Sequence, residues 1–580
     1  MEEREMLERI QARAKAWTGS AFDEETRNQV QNLMQHTNEL IDSFYKDLEF
    51  GTGGLRGLMG PGTNRVNRYT VGMATQGLSQ YLKKNFSSLP EIRVVVGHDS
   101  RNNSALFART VAGVFAANGI KVFLFDALRP TPEISFAIRH LGCQGGVVIT
   151  ASHNPKEYNG YKAYWSDGAQ VIPPHDTNII HEVGQVSVQD VRFDGPEDLI
   201  TQIGEEIDQI YTDKIVSLSL SPEAIARNRN IRIVYTPIHG TGVKLIPMCL
   251  NKLGFNNIIH IPEQDVPDGN FPTVKSPNPE EPAALNMAIQ KARETDADIV
   301  MGSDPDADRI GLAVKDTSGN WVLLNGNQAA SILIYYLIRR WKETGKLQGK
   351  EYIVKTIVTS ELLSDIATRS GVASFDVLTG FKWIADIIAQ KEGGMTFIGG
   401  GEESYGYLCG TFVRDKDAVM SASLFAEIAA WAADQGKTLY DILLDIYLEF
   451  GLYKETGISV VKKGKSGAEE IRQMMESYRQ SPPKTINQTP VVRIMDYQSL
   501  TTTDLPSGAV TRIDSPASDV LQFFTGDGSK ISVRPSGTEP KIKYYIGVRA
   551  PLASREEFAQ TNALLEQKIQ GIVADLNPSV

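Results

Sequence analysis

The chain is poor in cysteine: Cys143, Cys249 and Cys409 are the only three in 580 residues, far apart and with no CxxC pair. That argues against a disulfide framework and a cysteine-ligated zinc site, and it favours a reducing compartment. No run of about eighteen apolar residues occurs, so no membrane-spanning helix is expected. The segment Met1 to Trp17 is charged and has no apolar stretch of the kind a secretory leader needs. Basic excess is missing too. The formal net charge of −11 argues against a general nucleic-acid binder, whose affinity comes from a cationic face. The expectation is a cytoplasmic protein with neither membrane nor nucleic acid as partner. Basic loops within an acidic whole still leave small phosphorylated molecules open as ligands.

Three familiar motifs are approached and missed. Gly51-Thr52-Gly53-Gly54-Leu55-Arg56-Gly57 resembles a dinucleotide fingerprint, but Arg56 stands where the third glycine belongs. It reads either as a flexible turn or as a phosphate loop with Arg56 as anion ligand. Gly464-Lys465-Ser466 is no P-loop, because Ser459 replaces the glycine required five positions earlier. Gly401-Glu402-Glu403-Ser404-Tyr405-Gly406 carries Glu402 where a GxSxG elbow needs glycine, so Ser404 is not a hydrolase nucleophile.

What is present is a cadence. The length implies roughly three to five domains. Residues 1 to 48 read as solvated helix. Beyond them, apolar runs such as 92–96, 122–125 and 145–149 alternate with helical stretches, and the pattern recurs over 231–302 and 352–398. Continuous apolar strands interleaved with helices predict buried, largely parallel α/β sheets. Each pass ends in a strand feeding a polar loop: Thr150–Pro155, Ser303–Arg309 and Gly399–Gly406. Ligands bind beyond the carboxyl ends of such strands. From about 451 the composition shifts to a more antiparallel pattern closed by a helix.

The loops carry chemistry. Asp304, Asp306 and Asp308 alternate, so in an extended loop their carboxylates share a face and suit one hard cation. An EF-hand is ruled out by Arg309 at its sixth position and Lys315 at its twelfth. A solvated acidic turn is the bland alternative. It is disfavoured because three unpaired carboxylates just past an apolar strand repel each other, and the donor type points to Mg²⁺. Arg534-Pro535-Ser536-Gly537-Thr538-Glu539-Pro540-Lys541 offers two cations and two hydroxyls to a phosphate, or is an ordinary hairpin turn. Ser152, with His153 beside it and Lys162 nearby, is a candidate nucleophile or a phosphate carrier beside the metal. Together the loops describe phosphoryl transfer on a polyhydroxylated substrate.

In order and spacing, Thr150-Ala151-Ser152-His153-Asn154-Pro155, Asp304 to Arg309, Gly401 to Ser404 and Arg534 to Thr538 resemble the four signature loops of the α-D-phosphohexomutases. The resemblance covers nearly the whole chain. It implies four domains, here 1–215, 216–324, 325–450 and 451–580: three similar mixed α/β sheet domains and a C-terminal α+β domain acting as a phosphate-binding lid. It also implies that Ser152 is a phosphoserine that joins Asp304, Asp306 and Asp308 in holding Mg²⁺. Glu402 and Ser404 would meet sugar hydroxyls, and Arg534, Ser536, Gly537 and Thr538 the non-reacting phosphate. Arg101, Arg309, Gly380 and Lys541 would be further substrate contacts. Lys162, Lys382 in Thr379-Gly380-Phe381-Lys382, His153 and Arg56 remain candidates for catalytic work, with the general acid/base open among the first three. Glu-Glu-Ser followed by Tyr405 is similar to the glucose forms, which implies a glucose phosphate substrate with glucose 1,6-bisphosphate as activator and intermediate. Asn154-Pro155-Lys156-Glu157-Tyr158-Asn159-Gly160 is more similar to a subgroup containing phosphopentomutases and glucose-1,6-bisphosphate synthases. The partners implied are small sugar phosphates, and the protein would be a monomer or homodimer.

Overall fold

The cadence of apolar runs has a simple structural cause: the chain walks the same strand–helix–strand–helix–strand path three times. The computed structural model describes residues 2–51, 53–462, 464–536 and 541–576. The first pass is Arg93–His98, Ser104–Ala117, Lys121–Phe125, Thr131–His140 and Gly145–Ile149. Its first strand is central and pairs in parallel with the other two. The second pass, Ile233–Thr236, Gly242–Leu253, Ile258–His260, Pro282–Glu294 and Ile299–Ser303, pairs in the same way. So does the third, through Glu351–Thr356, Glu361–Arg369, Ala373–Val377, Phe381–Lys391 and Thr396–Gly401. Each polar loop therefore leaves the third strand of its pass.

In the first two passes the chain then turns straight back. Tyr158–Trp165 runs antiparallel to Gly145–Ile149, and Ile310–Lys315 runs antiparallel to Ile299–Ser303. The sheets are thus mixed rather than largely parallel. The returning strands are as buried as the parallel ones, so their composition does not reveal their direction. The first sheet is completed by Gly54–Leu58 at one edge and Ile200–Ile203 at the other. Gly146 lets the helix Thr131–His140 lie close on this sheet: a Cβ there would sit 2.5 Å from Ile138 Cδ1.

The N-terminal segment differs from the solvated helix its charge suggests. Its three helices, Glu2–Ala16, Glu24–Leu33 and Thr37–Phe44, bury Ile10, Ala14, Trp17, Phe22, Val30, Leu40 and Phe44 against Tyr69. Trp17 stacks on Phe22 with centroids 4.5 Å apart. Each helix offers few apolar residues, so the shared core is invisible in any one of them.

The chain divides into two units. One comprises Met1–Asn325, Ala385–Gly393 and Ser404–Gly436; the other comprises Gly326–Ile384, Gly394–Glu403 and Lys437–Val580. The first holds the N-terminal helices and the first two sheets. The second holds the parallel strands of the third pass and a C-terminal antiparallel sheet. That sheet runs, in pairing order, Leu452–Val461, Lys541–Ala550, Lys530–Pro535, Leu521–Thr525, Thr489–Asp496, Thr501–Asp504 and Val510–Arg512. Helices Gly464–Gln480 and Phe558–Leu576 accompany it, an α+β arrangement. Among the described residues, no helix is long and apolar enough to cross a membrane.

Candidate active site

Ser152 stands three residues past the strand Gly145–Ile149, at φ 53°, a left-handed conformation that a non-glycine residue adopts only when held there. Its backbone N–H donates to Thr150 Oγ1 at 2.8 Å. Its hydroxyl donates to Asp304 Oδ2 at 2.9 Å and lies 3.2 Å from His153 Nδ1. Burial, with the Arg309, Arg56 and Arg101 guanidiniums, pushes His153 down to about 2, so its ring is neutral.

The acidic loop faces this serine. Its backbone is held from three sides: the N–H of Thr131 donates to Asp306 O, that of Thr241 to Pro305 O and that of Ala418 to Ala307 O, at 2.9, 2.8 and 3.1 Å. Ala307 takes φ 50°. With its carbonyls so engaged, the loop turns all three carboxylates inward, where one oxygen of each lies within 4.8 Å of the others. Burial, together with Asp306 and Asp308, pushes Asp304 well above the ordinary carboxylate range. Burial also works to raise Asp308, but Lys162, Lys416 and Arg309 hold it below that range. Lys162 Nζ donates to Asp306 Oδ2 at 2.7 Å and to Asp308 Oδ2 at 3.0 Å.

The triad fits a divalent cation. Asp306 Oδ1 and Asp308 Oδ1 are buried acceptors without a hydrogen-bond partner, a costly state that a cation relieves. Three carboxylate oxygens are hard donors of the kind Mg²⁺ takes.

Two residues of this centre escape sequence reasoning. Lys416 Nζ lies 3.2 Å from Asp308 Oδ2 and 3.3 Å from Asp415 Oδ1, and Asp415 in turn accepts from Tyr164 Oη at 2.6 Å. The Lys416 stem passes over Gly406, where a Cβ would sit 2.0 Å from Lys416 Cδ. The run Arg414-Asp415-Lys416-Asp417, close after the short strand Tyr407–Cys409, was the available signal. Thr131 donates its hydroxyl to Asp306 Oδ2 at 2.9 Å and had no signal at all.

Other residues singled out from the sequence fall around this centre. Arg56 is not on a flexible turn: Gly54–Leu58 is a strand paired with Tyr158–Trp165, and Arg56 Nη1 donates to Asn154 Oδ1 at 3.3 Å. Arg309 pairs with Glu280 at 2.5 Å. Arg101 is buried and bonded through Nη1 and Nη2 to the backbone of the Ser152 loop. Ser404 belongs to this first unit and is half-buried.

The second unit gathers the remainder. Glu402 Oε1 accepts the N–H of Gly380, which sits at φ 110°, at 3.0 Å. Glu403 Oε2 accepts from Thr356 Oγ1 and Thr359 Oγ1 at 3.2 and 3.1 Å. Burial and the neighbouring Glu403 push Tyr545 up to about 12, against a hydrogen bond from Arg534. Arg534 thus lies beside Tyr545, whose hydroxyl also feels Glu403 and Glu402. Ser536 N donates to Lys541 O at 2.7 Å, closing the mouth of the Arg534 loop. Lys382 Nζ lies 5.2 Å from the Trp383 ring centroid. Gly537 and Thr538 lie outside the described residues.

Comparison with known proteins identifies the family. Three domain models of the phosphoglucomutase/phosphomannomutase family match in order: alpha/beta/alpha domain I over residues 47–189, domain II over 209–319 and domain III over 325–450. The chain belongs to the phosphoglucomutase/phosphomannomutase family and is accordingly a phosphohexomutase, an isomerase. A phosphoglucomutase of Staphylococcus aureus is 37% identical over 516 residues, 88% of this chain and 92% of its own length. One from Staphylococcus haemolyticus is 35% identical over 515 residues, 89% of this chain and 92% of that one. Among solved structures, parafusin, a phosphoglucomutase from Paramecium in an open form, shares the fold with TM-score 0.67 at 18% identity, covering 92% of this chain and 95% of that one.

Proposed function

We propose that the protein interconverts α-D-glucose 1-phosphate and glucose 6-phosphate by carrying a phosphoryl group on Ser152. The observation that carries this is the Ser152 hydroxyl, 2.9 Å from Asp304 Oδ2 at the edge of a buried carboxylate triad. The curated relatives named phosphoglucomutase support the glucose substrate.

In the proposed cycle phosphorylated Ser152 gives its phosphoryl group to the free hydroxyl of the bound sugar phosphate. The Ser152 Oγ–phosphorus bond breaks, a sugar oxygen–phosphorus bond forms, and the hydroxyl proton leaves to a neighbouring base. The product, glucose 1,6-bisphosphate, returns its other phosphoryl group to Ser152, leaving the isomeric monophosphate. Mg²⁺, which Asp304, Asp306 and Asp308 would hold together with Ser152, supplies charge stabilisation for the transferring group when bound. Lys162, with Lys416 beside it, is the favoured proton handler. His153 is too weak a base at about 2 to compete, and Lys382 is the candidate in the second unit. Arg56 stands beside the Ser152 loop to meet an incoming phosphate, as does Arg309 beside Asp308.

Glu402 and Ser404 would read sugar hydroxyls, with Gly380 positioned by Glu402. Arg534, Ser536, Gly537, Thr538 and Lys541 would hold the phosphate that does not react. We take 1–215, 216–324, 325–450 and 451–580 as the functional domains, a division supported by one principal sheet beginning in each. Three buried, unpaired cysteines support a cytoplasmic location, and a monomer or homodimer suffices for this chemistry.

The test is Ser152→Ala in a coupled assay for glucose 6-phosphate. Activity should fall to background, and near-full activity would remove Ser152 from the mechanism. Release of inorganic phosphate in place of glucose 6-phosphate by the unaltered protein would make it a phosphatase instead.

A further inference from the structure

A single side chain gathers the Ser152 loop. Arginine has five N–H donors in a rigid plane. Arg101 Nη1 donates to the carbonyls of Pro155 and Tyr158 at 2.9 and 3.1 Å. Its Nη2 donates to the carbonyls of Ser152 and Asn154 at 2.6 and 2.5 Å. Its Nε lies 3.3 Å from Asp99 Oδ2, both side chains fully buried. Asp99 is itself fixed, its Oδ1 accepting from Arg101 N and Ser104 Oγ at 2.9 and 2.7 Å.

The flat face of this guanidinium is covered from another part of the fold. The Phe271 ring centroid lies 5.1 Å from Arg101 Cζ. Phe271 takes φ 47°, a left-handed conformation that is strained for a bulky side chain and persists only where the surroundings impose it. Its loop is pressed onto the residue after Arg101: a Cβ on Gly269 would sit 2.2 Å from Asn102 N, and Asn102 Nδ2 donates to Asn270 Oδ1 at 3.1 Å. Phe271 belongs to the connection between Ile258–His260 and Pro282–Glu294, hence to the sheet whose next strand, Ile299–Ser303, leads into Asp304.

We propose that Arg101, backed by Phe271, is a positioning residue for phosphoryl transfer: it draws together four carbonyls of the turn 152–158 and so fixes Ser152 in its left-handed conformation with Oγ toward Asp304. Four carbonyl dipoles converging on one point repel each other unless a cation with fixed donors sits among them. Lysine, a point charge with three donors, cannot make the same set of bonds. Because Phe271 comes from the sheet that bears the acidic loop, the clamp also sets the serine in register with that loop. This inference rests on Ser152 as the phosphoryl carrier.

The test uses the full chain carrying Arg101→Lys or Phe271→Leu, beside the unaltered protein. Steady-state kinetics with glucose 1-phosphate are measured together with amide hydrogen exchange over residues 150–160. Arg101→Lys should lower kcat by about 100-fold, the cost of a misplaced nucleophile, with KM changed less than about twofold. Phe271→Leu, which removes only the cation–π cover, should lower kcat by about fivefold. Both should speed exchange in 150–160 while leaving Gly145–Ile149 protected. A rise in KM at unchanged kcat would make Arg101 a substrate ligand and overturn the proposal, as would unchanged kcat and exchange. Should Arg101→Lys fail to fold, Phe271→Leu decides by the same two measurements. An unaltered protein without mutase activity would defeat the Ser152 assignment, and the exchange data would still decide the clamp.

Discussion

The Ser152 loop and the acidic loop occupy the same place in two successive passes of one topology, yet they are held by opposite means. Each leaves the third strand of a strand–helix–strand–helix–strand path and precedes an antiparallel return. Each contains one non-glycine residue at positive φ, Ser152 at 53° and Ala307 at 50°. The acidic loop is anchored by three backbone N–H groups from three separate elements, Thr131, Thr241 and Ala418. No substitution other than proline removes those donors. In the Ser152 loop four carbonyls instead meet one guanidinium. Redundant backbone anchoring suits a loop that must keep three like charges together. A single side-chain clamp suits one whose serine, in the proposed mechanism, must sit at one distance from them.

The contrast can be broken at several points. Asp306→Asn removes a charge from the triad and should lower kcat by about 1,000-fold while flattening the response to added Mg²⁺. An unchanged metal titration would show that the triad is not the cation site. Gly406→Ala puts a Cβ into the path of Lys416 and should cost about tenfold in kcat, the ammonium being driven from Asp308. Thr131→Val deletes a hydroxyl bond to Asp306 but keeps the backbone anchor. It should cost only about fivefold, far less than Arg101→Lys. Equal losses in the two would erase the distinction between the loops.

The smallest effect concerns stability. Asp417 caps the helix Ala418–Ala433, whose first N–H anchors Ala307, and burial pushes its carboxyl up to about 7. The native state therefore keeps a proton that the unfolded chain releases at lower pH. Its contribution declines as pH rises from the unfolded carboxylate range through about 7. Asp417→Asn lacks that titration. Calorimetry should show the melting temperature of the unaltered protein falling more steeply between about pH 5 and pH 8 than that of the variant. Parallel curves would mean Asp417 is charged throughout.

The acidic triad and the Ser152 loop were legible because each is a short, local pattern placed just past an apolar strand. The three passes were legible because apolar runs and helical stretches alternate three times. Strand direction was not, since Tyr158–Trp165 is as buried as its parallel neighbours. The N-terminal core was hidden because Trp17, Phe22 and Phe44 belong to no single amphipathic helix. Thr131 and Phe271 were out of reach for a further reason: each meets its partner only through the packing of one sheet's segments against another's loop. Arg101 was read as a substrate contact, and its bonds to four carbonyls depend on a turn whose path only the fold defines.

The central claim is that Ser152 carries the phosphoryl group. The direct measurement is to incubate the protein with Mg²⁺ and glucose 1,6-bisphosphate bearing labelled phosphate, digest it, and find which peptide retains the label. Label confined to the peptide containing Ser152, and removed by a chase with unlabelled glucose 1-phosphate, is the predicted result. Label on another residue, or stable label that the sugar phosphate does not remove, would contradict it.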